Sequence, residues 1–381
     1  MITKINREDE DGMSETLTTK KRDSNLELFR IITMIMIVAH HYVVNSGLMN
    51  EILQSSISLK NIYLLLFGAW GKIGINCFVF ITGYFMCKSN ITARKFVKLL
   101  GEILFYKVVI GMVFIFFGYG KLSISHVLSL FIPVKNVSDG FTSAYLIFFL
   151  FIPFLNVLLK NINERKHIKL IILSTFLYVF LASVPFFSVT MNYVSWFIVL
   201  YFISSYIRLY PKKIFTIRNM WIIFSIIFVC LASSSVVIGY LFIGNPYCFI
   251  VDSNKLLAVL TSLSLFLMFK NLNLKYNRFI NTVAASTFGV LLIHANSDEM
   301  RQWLWCEICN NVGMFNSEWI FAHSVGCVLA IYIVCSAIDF LRIRFVEKPF
   351  LKLFDLFYPK LTRKYSKFSN NICNLLHINL N

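Results

Sequence analysis

The chain reads as an all-α, polytopic integral membrane protein of about ten transmembrane helices, with both termini in the cytoplasm. Three observations predict this. Of 381 residues, 57% are hydrophobic and only 14% are charged, and the mean hydropathy is +0.70, unlike a soluble enzyme. Apolar runs near the roughly 20 residues needed to cross a bilayer recur along the chain. Lysine and arginine concentrate in alternate connections between those runs.

Taken in order, residues 1–24 mix acids and bases without apolar periodicity and read as a flexible cytoplasmic tail. The predicted spans lie near 27–45, 71–88, 97–118, 142–159, 168–187, 191–209, 220–243, 255–270, 280–296 and 319–341. The segment 61–70, NIYLLLFGAW, is apolar but too short to cross beside its neighbour, and is assigned to the interface. Together the spans make one membrane domain over 25–352. A basic cytoplasmic tail follows over 353–381. The first span follows a polar stretch and has no small-residue cleavage site, so it is expected to stay as an anchor.

One set of connections carries Lys88, Arg94, Lys95 and Lys98, then Lys160, Arg165, Lys166 and Lys169. It continues with Arg208, Lys212, Lys213 and Arg218, then Lys270, Lys275 and Arg278. Both tails share this bias. The alternate connections hold only Lys60, Lys121, Lys135, Lys255 and Arg301, with acids at Asp298, Glu299, Glu307 and Glu318. The formal charge of +17 is therefore mostly a topology signal, and no nucleic-acid partner is inferred from it. The lipid bilayer is the expected surroundings, as a multi-pass protein of the plasma (inner) membrane.

The chemistry concentrates in the first span, Asp23 to Gly47, DSNLELFRIITMIMIVAHHYVVNSG. A charge inside a hydrophobic span costs about 2.5–3.5 kcal/mol at mid-membrane and is usually retained for a partner or a site. At about 100° per residue, Arg30 and His41 fall within about 20° of each other, about 16 Å apart along the axis. His40 points about 80° away from Arg30. Glu27 stands one turn before Arg30, where the two can pair. A snorkelling anchor is the alternative for Arg30.

E-L-F-R, ten residues and then His41 resembles the Arg-x10-His signature of acyltransferase family 3, integral-membrane enzymes that O-acylate carbohydrates. The family often has an acidic residue three before the Arg, where this chain has Glu27. Gly74 to Phe85, GINCFVFITGYF, is similar to a glycine-bounded family stretch, with Asn76 where an Asp is common. Close helix packing explains its small residues equally well. The family's Arg-x-x-Arg, which the resemblance assigns to the nucleotide part of an acyl-coenzyme A donor, is matched here by Arg94, Lys95 and Lys98. Lysines neutralise phosphate without the bidentate fork of arginine. Glu102, four residues after Lys98, is a simple pairing partner for it. Lys107, deeper in the same span, has no evident one.

Phe141 to Asn156 and Trp196 to Arg208 resemble the family's central helices. Ser286 to His294, STFGVLLIH, resembles its Ser-x-Gly-x-Tyr-Leu-x-His helix and sets His294 at a depth comparable with His41. His294 and Asn296 are candidates for an acceptor-side wall, and a structural histidine is the competing reading. Arg344 to Phe350 resembles the family's closing Arg-x-x-Glu-Arg-Pro-Phe, which gives Glu347 a supporting role on the donor side or in the fold.

Nine cysteines are scattered, mostly within apolar runs, and read as small buried hydrophobes. Cys306 and Cys309 form a C-x-x-C that lacks two further zinc ligands nearby, so no metal is assigned. They read as a local disulfide or two unpaired thiols.

The resemblance implies O-acyl transfer, most simply of acetyl from acetyl-coenzyme A, to a hydroxyl of a cell-surface or lipid-linked saccharide. No bound cofactor is implied, because acyl-coenzyme A is the donor substrate. In this reading His41 is general base or acyl relay, with Arg30 beside it. Arg30, Arg94, Lys95 and Lys98 bind the donor. A polytopic transporter or flippase of a saccharide or lipid precursor also places charged residues within spans, and is the alternative.

Overall fold

A computed structural model describes residues 23–135, 140–184, 186–187, 189 and 191–359. The expected tails 1–24 and 353–381 therefore lie outside the described residues, except for 23–24 and 353–359. Among the described residues every regular element is a helix, with no strand.

The helices run in the order α1 (Ser24–Val44), α2 (Leu48–Gln54), α3 (Leu59–Gly68), α4 (Gly71–Met86) and α5 (Ala93–Phe116). Next come α6 (Ile124–Leu130), α7 (Phe141–Asn161), α8 (Glu164–Thr175), α9 (Tyr193–Leu209) and α10 (Arg218–Ile238). The last are α11 (Leu256–Lys270), α12 (Arg278–Ala284), α13 (Thr287–His294), α14 (Asp298–Gln302) and α15 (Ile320–Arg342). Wide π-turns extend α8, α10, α14 and α15.

Six of the resulting rods are long and apolar enough to cross a membrane, and a seventh is if the bent pair Arg278–His294 and Asp298–Ile308 counts as one. Ten were expected. The shortfall has local causes. Tyr193–Leu209 and Leu256–Lys270 are apolar but shorter than the others, and α8 opens on the polar ERKHIK. The 61–70 segment is not a separate interfacial piece. It joins α4 in a 28-residue rod, Leu59–Met86, because no Pro or polar cluster interrupts it. The last rod likewise continues through Pro359 instead of stopping near 341. Large apolar side chains such as Phe154, Ile226 and Ile333 are exposed along these rods, as a lipid-facing surface requires.

Helix α1 is the axis of the bundle and packs against α3, α4, α11, α12, α13 and α15. Its start is fixed by Asp23, whose carboxylate accepts from the Asn25 amide at 3.1 Å. The Asn25 side chain in turn donates to the Leu272 carbonyl and accepts from the Leu274 amide. At its other end, Tyr42 Oη lies 2.7 Å from His323 Nδ1 on α15. Glycine permits the closest approaches. A Cβ at Gly74 would stand 3.2 Å from the Thr33 carbonyl of α1, and one at Gly83 would meet Ser204 of α9. Packing therefore accounts for the GINCFVFITGYF stretch. Its Asn76 is buried, donating to the Ser253 carbonyl at 2.6 Å and accepting from the Trp196 indole at 2.9 Å. These bonds tie α4 to α9 and to the stretch before α11, a packing role.

Candidate active site

A cavity of about 600 Å³ opens beside the second half of α1. Ile37, His40 and His41 come from α1, Lys72 and Ile75 from α4, and Lys107 from α5. The bend after α13 completes the wall with Ala295, Asn296 and Ser297. There the chain turns by 97° between His294 and Asp298. Non-helical backbone at membrane depth is tolerated where it lines such a cavity.

The two adjacent histidines have different environments. His40 Nδ1 lies 2.6 Å from the Gly68 carbonyl of α3, the bond to a neighbouring helix expected of a packing histidine. Its rotation does not remove it from the cavity, however, since both rings line the wall. His41 Nδ1 lies 3.0 Å from His294 Nε2, and His294 Nδ1 lies 2.6 Å from the Val290 carbonyl. A carbonyl only accepts, so His294 carries its proton on Nδ1 when neutral. Its Nε2 is then an acceptor, and His41 must donate from Nδ1. The chain of bonds leaves the lone pair of His41 on Nε2. This is the nitrogen a general base would use.

One comparison with known proteins covers the elements that build this cavity. A family model described as an acyltransferase domain matches residues 23–340. The chain belongs to this acyltransferase family. It is a membrane acyltransferase, an activity that a transporter reading does not predict. No curated protein and no solved structure matches it.

In this acyltransferase His294 does not line the cavity, as the structural reading of it expects. It is completely buried and sits behind His41, with both ring nitrogens engaged, so it offers nothing to a sugar hydroxyl. Asn296 does line the cavity. Its amide nitrogen donates to the Leu292 carbonyl at 2.9 Å, which leaves the side-chain oxygen as an acceptor.

None of the donor-side candidates lines the cavity. Arg30 sits 3.9 Å from Glu27, an ion pair too long for a hydrogen bond, with its guanidinium 5.9 Å from the Phe85 ring. Arg94 pairs with Asp355 at 3.0 Å. Lys95 donates to Ser89 Oγ at 2.6 Å and to the Asn90 carbonyl at 2.8 Å. Lys98 does not pair with Glu102 as its spacing predicts. It reaches Glu347 at 2.7 Å, while Glu102 is taken by Arg342 at 3.1 Å. Both acids are buried against the same guanidinium, and the half-exposed Lys98 meets the one brought back beside α5 by the end of α15.

That guanidinium is a centre the sequence reading missed. Arg342 binds Glu102, Asp339 at 2.7 Å and Glu347 at 2.9 Å, and Tyr106 Oη donates to Asp339 at 2.8 Å. One planar fork thus ties α5 to the end of α15. Gly289 makes room for it, because a Cβ there would fall 2.2 Å from the Asp339 carboxylate. An acid inside the predicted last span was the available signal. Lys72 and Lys107 were legible in the same way, as isolated charges in apolar runs. Cys306 and Cys309 are unbonded, and Cys306 Sγ donates to the Ser46 carbonyl at 3.7 Å.

Proposed function

We propose that this acyltransferase moves an acyl group, most simply acetyl, from acyl-coenzyme A to a hydroxyl of a cell-surface or lipid-linked saccharide at the plasma membrane. The observation that carries the reading is the His41–His294–Val290 chain of hydrogen bonds at the wall of the cavity. His41 Nε2 removes the proton from the sugar hydroxyl as its oxygen attacks the thioester carbonyl. The C–S bond breaks, and the proton passes from His41 to the departing thiolate, giving coenzyme A and the sugar ester. Such base catalysis contributes about 10²–10⁴-fold. His294 holds the ring and its tautomer, as the orienting partner in any nucleophile–base relay does.

The proposed topology has ten crossings, with the short α8, α9 and α11 rods among them, and both termini cytoplasmic. It puts Arg30, Arg94, Lys95 and Lys98 on the donor side and the cavity in the outer half of the membrane. Phosphates of the donor would compete with Asp355 and Glu347 for Arg94 and Lys98.

The separation of those cations from the cavity favours a second reading, an acyl-histidine relay. His41 Nε2 attacks the thioester, the C–S bond breaks as thiolate leaves, and the sugar hydroxyl then displaces the imidazole, its proton balancing the one the thiolate takes up. Purified protein in nanodiscs, supplied with acetyl-labelled coenzyme A and surface glycan, should form base-labile sugar ester. Label trapped on the protein before glycan is added identifies the relay. No turnover of acetyl-coenzyme A with or without glycan would overturn both readings.

A further inference from the structure

The cavity beside His41 holds more positive charge than its walls neutralise. Lys72, Lys107, Lys135 and Arg301 line it, against Asp298 and Glu299. Asp298 is already bound to Arg301 at 3.0 Å. Among the described residues, Lys72, Lys107 and Lys135 have no carboxylate within ion-pair distance.

Two of these lysines stand in membrane rods, Lys72 within Leu59–Met86 and Lys107 within Ala93–Phe116. An ammonium there costs about 2.5–3.5 kcal/mol at mid-span unless something compensates it. Each ammonium has three N–H donors. Lys72 uses one on Tyr193 Oη at 2.9 Å, and Lys107 one on the Ile132 carbonyl. Both side chains line the cavity, which distinguishes them from lysines that snorkel along a lipid face. Neutral sugar hydroxyls are recognised mainly by carboxylates and amides. A cavity with four cations against two acids suits a charged guest instead, and its 600 Å³ admits a saccharide unit.

We propose that the acceptor is an anionic saccharide, whose carboxylate or phosphate is held by Lys72 and Lys107 while a nearby hydroxyl reaches His41 Nε2. This rests on the acyl-transfer reading above. Lys135 and Arg301 add to the field that draws the anion in.

The test is the product itself. Surface glycan is compared by NMR from cells with the full chain, without it, and with variants at matched membrane abundance. The ester that depends on the chain should lie on a residue bearing an anionic group. Carbon shifts identify a uronic carboxylate, and coupling to ³¹P identifies a phosphate. A K72Q/K107Q double variant should lose about 90% of that ester, a tenfold drop. The Lys72→Arg, Lys107→Arg pair should keep most of it, which separates lost charge from lost folding. An ester on a neutral glycan, or full ester content in K72Q/K107Q, would overturn the inference and leave acyl transfer standing. No chain-dependent ester at all would overturn acyl transfer and this inference with it.

Discussion

His41 Nδ1 and His294 Nε2 lie 3.0 Å apart, although 253 residues separate them in the chain. Because His294 is itself anchored to the Val290 carbonyl, the pair has one neutral arrangement, with the His41 lone pair on Nε2. His41→Ala should therefore lower acyl transfer by at least the 10²–10⁴-fold typical of a lost general base. His294→Ala should cost about 10²-fold, the lower end of that range. His294→Gln restores an acceptor for His41 Nδ1–H and should recover part of the loss. Rates per inserted protein check this. Equal activity of His294→Ala and wild type would sink the orienting role.

His40 is bonded to Gly68 of α3 and should be replaceable by Ala with substantial activity left. Gly71 is the stricter position nearby. A Cβ there would fall 2.2 Å from the His40 ring, whereas one at Gly326 meets nothing within 4 Å. Gly71→Ala should cost about 1–3 kcal/mol of overpacking, and Gly326→Ala should be neutral or slightly stabilising. Thermal midpoints in detergent, measured side by side, decide it. Equal midpoints would contradict the close packing of α1 on α4.

Arg342 is nearly buried and serves three carboxylates. Removing it leaves buried acids unpaired, a loss of about 3–5 kcal/mol. The Arg94–Asp355 pair is about half exposed on both sides and should be worth at most about 1 kcal/mol. Arg342→Met should thus lower the thermal midpoint far more than Arg94→Met. Similar shifts for the two would mean that the cluster does not hold α5 to α15.

If Lys95 and Lys98 bind donor phosphates, their double alanine variant should raise the KM for acyl-coenzyme A. The difference from wild type should shrink as salt rises, because exposed charges are screened within about 8–10 Å near physiological ionic strength. An unchanged KM would leave these lysines as a topology signal only.

Cys306 is exposed and unbonded near the bend that closes the cavity. In the proposed orientation an impermeant maleimide added to intact cells should label it, and Cys306→Ser should remove the label. Labelling only after permeabilisation would invert the orientation and move the donor side outwards.

Much of this protein was legible in one dimension, because a bilayer forces backbone groups to pair within each helix. Hydropathy alone then located most of the apolar rods, though it split Leu59–Met86 and ran the last one short, and the alternation of Lys and Arg suggested an orientation. The Glu27-to-His41 pattern was legible for the same reason, since α1 runs unbroken from Ser24 to Val44 and keeps its period. Periodicity says which residues share a face, but not what that face meets. That His294 stands behind His41 instead of across the cavity depended on how α13 packs on α1. Lys98 reaches Glu347, leaving Glu102 to Arg342, because the end of α15 returns beside α5. Lys72 and Lys107 come from separate helices, and only tertiary packing puts them in one cavity. Local sequence determined the helices and their polar faces, while the long-range contacts between faces decided the site.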